Sequence, residues 1–339
     1  MTNIMEWARR VPSRYWSILA LAVAILLPLP LNNYFQAVFW LVGIYLLLGL
    51  SLNIIVGYAG LFQLGHAAFY AIGGYTAAVL NLQFHVPIFL CLPVSIVVAG
   101  AAGFLISRPI LHLRGDYLAI ITIAFGEIVR LLLVNNPGQV TGGSNGLFGL
   151  SEPAIFGFTF RTPLQHYYLV LFFVVLTILA MQRLENSRLG RAWTYVREDE
   201  MAAEAMGVDT VQVKTIAFVL GSAWAGLAGV LYASRLGGIS PDMGNFLTSV
   251  TIFCIVVLGG AGSLPGIFLG TLGMVVLPEA FRVVENWRDG LVGLAMVLMM
   301  IFRPAGLLPS RRIAAALLTG EGELEASPAE ADVKKLKPA

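Results

Sequence analysis

The chain has 339 residues, a net charge of +2 and charged side chains at only 12% of positions, while 58% of residues are hydrophobic and the mean hydropathy is +0.82. Soluble domains run at about 45–50% apolar with glycine included and about 25% charged, so a soluble enzyme or binding module is excluded and an integral membrane protein is indicated. So small a charge gives no footing for nucleic acid, and Cys91 and Cys254 lie in apolar runs without the spacing of a metal site or disulfide framework.

Windows long enough to cross a hydrocarbon core of about 30 Å fall at 15–31, 36–56, 61–82, 86–107, 117–134, 164–182, 213–234, 247–262, 264–284 and 290–302. They predict an all-α fold, a polytopic transmembrane helical bundle of about ten spans. The windows at 61–82, 247–262 and 290–302 are the weakest, the first diluted by glycine and the other two short. Residues 1–14 form an N-terminal segment, 15–309 the membrane domain with a polar loop at 183–212, and 310–339 a tail. Arg9, Arg10 and Arg14 precede the first window and no small-residue cleavage site follows it, which predicts a retained anchor.

Arginine and lysine orient the bundle. With the N-terminus inside, the cytoplasmic side carries Arg9, Arg10, Arg14, Arg108, Arg114, Arg183, Arg188, Arg191, Arg197, Lys214, Arg303, Arg311 and Arg312, leaving Arg161, Arg235, Arg282 and Arg288 on the far side. Both termini are therefore expected to be cytoplasmic. The tail is charged, rich in small residues and poor in aromatics, the makeup of a disordered extension.

Catalytic motifs are largely missing. There is no GxxxxGK[ST], so ATP is not hydrolysed here by a P-loop, and His66, His85, His112 and His166 are too dispersed for an obvious metal site. Gly142, Ser144 and Gly146 match the GxSxG spacing of a nucleophile elbow. The run TGGSNGL in a polar loop reads better as a glycine-rich turn, with an intramembrane serine hydrolase as the minor alternative. Charges inside spans cost about 3 kcal/mol at the bilayer centre and need partners. Glu127 and Arg130 lie three apart, a spacing at which they pair on one helix face, either as an internal salt bridge or as the lining of a polar pathway. Asp116 reads as an N-cap or first-turn carboxylate, and His66 either as a packing histidine or as a pore residue. Gly262, Gly266 and Gly270 recur every four residues, as small residues do where helices pack closely in lipid. The stretches 57–60 and 259–265 are also suited to breaking helices beside a substrate path.

The polar run SRLGRAWTYVREDEMAAEAMGV, residues 187–208, carries too many charges to face lipid. Glu198, Asp199 and Glu200 before MAAEAM, with Gly207 after it, predict a short helix with carboxylates at its positive end and glycine at its stop. Met201, Ala205 and Val208 are expected to form a narrow apolar strip, with Arg188, Arg191 and Arg197 holding the segment to the inner surface or pairing with its acids. The run reads either as a solvated loop or as a helix that seats in a groove of a soluble ATPase.

GYAGLFQLGHAAFYAIGGYTAA at 57–78, LRGDYLAIITIAFGEIVR at 113–130, TGGSNGL at 141–147, REDEMAAEAMGV at 197–208 and VVLGGAGSLPG at 256–266 together resemble the LivM-type permease of bacterial branched-chain amino acid ABC transporters. The resemblance runs in order from about residue 34 to 309 and does not include the tail. It implies a permease subunit without cofactors of its own, in the bacterial inner membrane, paired with a LivH-type permease, two ATP-binding cassette subunits that bind ATP and Mg, and a periplasmic amino-acid-binding protein. It also implies that 198–208 is the cytoplasmic coupling loop, with Arg197, Glu198, Glu200, Glu204, Ala205 and Gly207 as coupling candidates. His66, Glu127, Arg130, Asn145, Gly259 and Gly260 are the candidates for pathway or gate. The expected activity is inward movement of leucine, isoleucine and valine by alternating access. A urea or short-amide permease of the same family is the alternative, and a secondary transporter or channel the more distant one.

Overall fold

In the computed structural model of the chain, the described residues are 22–111, 115–155 and 158–280, with 290, 293, 297, 301 and 306–308 as isolated positions. The segment 1–14, the first part of window 15–31, most of window 290–302, the tail 310–339, His112, Arg114, Arg282 and Arg288 lie outside them.

The helices are α1 (Asn33–Leu52), which runs straight into a π-helical turn (Asn53–Tyr58), α2 (Ala67–Phe84), α3 (Ile88–Ile110), α4 (Asp116–Asn135), α5 (Pro163–Glu185), α6 (Arg188–Glu198), α7 (Glu200–Ala205), α8 (Thr210–Leu236), α9 (Phe246–Gly259) and α10 (Leu264–Ala280). Side-chain caps mark the starts the polar residues predict. Thr162 forms a capping box with Gln165 at α5, Ser187 caps α6, Asp199 caps α7, Asp209 caps α8 and Asn245 caps α9, each worth about 1 kcal/mol. Asp116 sits in the first turn of α4, with Gly115 at the cap position.

Among the described residues, five stretches are long and apolar enough to cross a membrane, at Asn33–Tyr58, Ile88–Ile110, Asp116–Asn135, Pro163–Glu185 and Thr210–Leu236, and Phe246–Gly259 and Leu264–Val276 are shorter apolar helices. The window at 61–82 is corrected. Its helix begins only at Ala67, and residues 59–66 are non-helical. Gly73, Gly74, Tyr75, Thr76 and Asn81 dilute α2, which needs little lipid-facing surface because most of it is buried among other helices.

At the centre, α8 packs along α2 and α3. A Cβ on Gly73 would lie 2.2 Å from the Gly226 Cα, and one on Gly229 would lie 2.1 Å from the Tyr70 carbonyl oxygen. Lipid gives helices no hydrophobic reason to associate, so this backbone approach, with its dispersion contacts, supplies the cohesion. Gly266 and Gly270 serve α9 and α10 in the same way, against Gly259 and the Ile255 carbonyl, whereas Gly262 lies in the turn before α10 and not on the predicted helical stripe.

Two connections dip into the bundle. Residues 59–66 return from the π-turn to α2, and a 3-10 turn at Pro241–Gly244 leads into α9. One end of the bundle is marked by Trp193 against α8's first turn and by Asn53 bonded to Gly262, the other by an antiparallel pair, β1 (Leu147–Phe148) with β4 (Gly238–Ile239). The remaining pair is β2 (Ala154–Ile155) with β3 (Phe158–Thr159).

Gly229→Val is predicted to wedge α2 from α8 at a cost of about 1–3 kcal/mol. Detergent-purified protein should show a lowered thermal midpoint, while the exposed Val97→Ala stays within about 0.5 kcal/mol of the parent.

Candidate coupling and translocation site

The polar run folds into two helices where one was expected. α6 is amphipathic: Gly190, Trp193 and Val196 are buried, while Arg188, Arg191, Tyr195 and Glu198 are exposed. The Trp193 indole N–H donates to the Val213 carbonyl at 2.8 Å, which ties α6 to the first turn of α8. Asp199 accepts from the Ala202 amide at 3.0 Å to start α7, and Gly207, at φ +84°, stops it in a left-handed conformation that favours glycine. The Gly207 amide donates to Glu204 and the Val208 amide to Ala203.

Glu200 pairs with Lys214, and the Thr210 hydroxyl donates to Glu204 at 2.8 Å, so both acids brace the segment against α8. Arg191 donates to the Asn186 carbonyl and Arg197 to the Gly57 carbonyl. The outer face is small and apolar. Met201 is 69% exposed and Met206 83%, with Ala202 and Ala205 exposed beside them. Val208 is half-buried against the core, so Met206 takes its place on the expected strip.

Where α6 meets the membrane helices, Arg197 donates through Nη1 to the Gly57 carbonyl. Desolvation there lowers the Arg197 pKa from its ordinary value, with Glu198 opposing, and the guanidinium remains charged. The Trp193 and Tyr58 rings stack at 6.4 Å with an interplanar angle of 9°. The opposite side of the π-turn meets the turn before α10, where the Gly262 amide donates to Asn53 Oδ1 at 2.8 Å.

Deeper in the bundle, the segment 59–66 is held at several points. The Leu64 amide donates to Thr122 Oγ1 at 3.1 Å, and a Cβ on Gly65 would lie 1.8 Å from the Thr122 carbonyl oxygen. The Ala67 amide donates to Ser249 Oγ at 3.0 Å, so the starts of α2 and α9 meet inside the bundle. His66 is fully buried and shares a 2.7 Å hydrogen bond between Nε2 and Ser51 Oγ, while its Nδ1 has no partner among the described residues. Gln63 is 1% exposed, and both its amide atoms lack a protein partner among the described residues. Beside this meeting point a shallow cleft is lined by Leu64, Gly65, Ile123, Glu127, Phe246 and Ser249. Glu127 pairs with Arg130 at 2.9 Å, and both are about one-third exposed, so the pair is neither sealed in the core nor free.

The other expected pathway residues do not gather here. Asn145 is exposed in a short 3-10 turn near the β1–β4 end, and Gly259 and Gly260 sit in the tight α9–α10 turn at the opposite end. Ser144 is exposed in the same 3-10 turn as Asn145, and the described hydrogen bonds of His66 and His166 go to Ser51 and Thr162. Among the described residues no cluster of His, Cys, Asp or Glu suits a metal ion. Trp193, Gln63 and Ser249 are the residues that motif reading missed, whereas Gly57 opens the stretch 57–60 expected to break a helix. A tryptophan within an otherwise charged run is the one signal that pointed to any of them.

The model of the family described as the permease component of the branched-chain amino acid transport system matches residues 34–301. The high-affinity branched-chain amino acid transport system permease protein LivM of Salmonella typhimurium is 38% identical over 338 residues, 93% of this chain and 79% of its own length. LivM of Escherichia coli K12 is 39% identical with the same coverage, and LivH of that strain is 26% identical over 283 residues, 78% of this chain and 91% of LivH. No solved structure matches the chain. The chain belongs to the permease-component family of branched-chain amino acid transport systems.

Proposed function

We propose that this chain is the permease subunit of an ATP-binding cassette importer that moves leucine, isoleucine and valine inward by alternating access. The observation that carries the reading is the α6–α7 segment, whose bare methionine and alanine face stands on a base locked to α8 by Trp193, Glu200 and Glu204. A small apolar helix face on a rigid mount suits a groove in a soluble ATPase, which would bind ATP and Mg and push on the segment. Two such ATPases, a LivH-type second permease and a periplasmic amino-acid-binding protein complete the assembly. The arginine bias supports about ten spans in the bacterial inner membrane with both termini cytoplasmic.

The substrate passes the cleft beside the meeting of α2 and α9. Leu64, Ile123 and Phe246 offer an apolar wall, Glu127, paired with Arg130, offers a carboxylate for the ligand's ammonium group, and Gln63, buried next to Leu64, holds an unpaired amide. Helices that start inside the membrane also turn their positive ends toward this region, as in many transporter substrate sites.

Glu204→Arg, Gly207→Trp and Met206→Glu are each predicted to abolish labelled leucine uptake while the protein stays in the membrane and loses its ATPase on purification; retained uptake removes the segment from the mechanism. Glu127→Gln should lower leucine uptake about tenfold, the scale of one charge-assisted hydrogen bond, and an unchanged rate would take the cleft off the path. Labelled urea is the comparison ligand, since loss of urea uptake alone would keep the machinery and replace the substrate. Uptake that persists without the ATPase and collapses with the proton gradient would favour a secondary transporter.

A further inference from the structure

We propose that Arg197 is a positioning residue that caps the broken end of α1 from the coupling segment, and so carries ATPase-driven movement of α6 into the bundle. The proposal rests on the functional reading above and names the contact that joins its two halves.

A helix that ends against non-helical chain leaves its last carbonyls without amides from the next turn. In the π-turn, the Ile54 carbonyl accepts from the Ala59 amide at 3.2 Å and the Ile55 carbonyl from the Leu61 amide at 3.0 Å. The Gly57 carbonyl accepts from Arg197 Nη1, a side chain 140 positions away on α6. A guanidinium there also complements the negative end of the helix dipole. Three further observations make the contact a fixed joint. A Cβ on Gly60 would lie 2.7 Å from Arg197 Cγ, so the chain after the break lies under the arginine stem. Tyr58 stacks on Trp193, four residues before Arg197 on α6. A Cβ on Gly57 would lie 1.9 Å from Asn53 Oδ1 and 2.6 Å from the Gly262 amide nitrogen, so the same peptide is pressed on its far side by the hydrogen bond between them.

The π-turn is thus clasped between the coupling segment and the α9–α10 turn. Wide turns of this kind mark places where a helix changes register, and six residues beyond Gly57 the chain reaches Gln63 beside the substrate cleft. Displacement of α6 pulls or releases the Gly57 peptide, and the segment 59–66 follows.

The test uses the complete transporter in proteoliposomes, with labelled leucine uptake and ATP hydrolysis read in the same vesicles. A parent complex that fails to transport leucine sinks the functional reading and leaves this inference unsupported with it; the arms below apply to a transporting parent and judge the inference alone. Arg197→Met keeps the stem and removes the donor, and is expected to lower leucine moved per ATP hydrolysed about tenfold. Arg197→Lys restores a donor and is expected to stay within about threefold of the parent. A stem needed only for packing would make Met the better substitute, which would overturn the proposal, as would an unchanged ratio in Arg197→Met. Loss of the ATPase subunits from the purified Arg197→Met complex would assign the residue to docking and overturn it equally. Should Arg197→Met not reach the membrane, Arg197→Gln, whose shorter stem withdraws the donor from the Gly57 carbonyl, supplies the readout: a comparable fall in the ratio supports the joint, and an unchanged ratio refutes it.

Discussion

A bilayer offers no hydrogen-bond partner to a backbone that leaves its helix, so every peptide freed by a break inside the bundle must be met by protein. This constraint organises the permease. The π-turn at the end of α1, the non-helical residues 59–66 and the turn between α9 and α10 are the breaks, and the side chains that meet them come from distant parts of the chain. Asn53 serves Gly262, Thr122 serves Leu64, Ser249 serves Ala67 and Arg197 serves Gly57. Removing any one would unpair a backbone group that is buried at Ala67 and part-buried at the other three, at up to about 1–3 kcal/mol each, so these four contacts hold the irregular path in place.

The same contacts carry function because they cross between elements that move separately in an importer. α6 and α7 are mounted on α8 through Trp193, Glu200 and Glu204, and reach the membrane interior through Arg197. α8 in turn holds α2 at backbone distance through Gly226 and Gly229. On the proposed reading, force applied at the exposed methionines would have two routes inward, one along the α8–α2 pair and one through the clasped π-turn to the cleft lined by Glu127.

Much of this was legible in the residues. Five long apolar windows reappear as helices with nearly the same bounds, and Asp199, Glu200 and Gly207 mark α7 by capping chemistry and dipole alone. Glu127 and Arg130 pair as their spacing demands. The late start of α2 was hidden, because FQLGHAAF has the composition of a span and only the tertiary partners Thr122 and Ser249 stabilise its first half as irregular chain. The contact of Arg197 with the Gly57 carbonyl was not legible, since a backbone carbonyl leaves no trace in side-chain composition. His66, a pore candidate by its position among apolar residues, proves to be tied to Ser51, a contact across 15 residues that no periodicity announces.

The central claim is that the coupling segment and the break in α1 move as one. Hydrogen exchange of the complete transporter, compared between the nucleotide-free form and the form trapped with ATP, tests it most directly. The account predicts that amides in 53–66 change their exchange in step with those in 188–205, and that Arg197→Met breaks the correlation. Changed exchange in 188–205 with an unaltered 53–66 would contradict it, leaving the arginine as a static brace and the break in α1 outside the transport cycle.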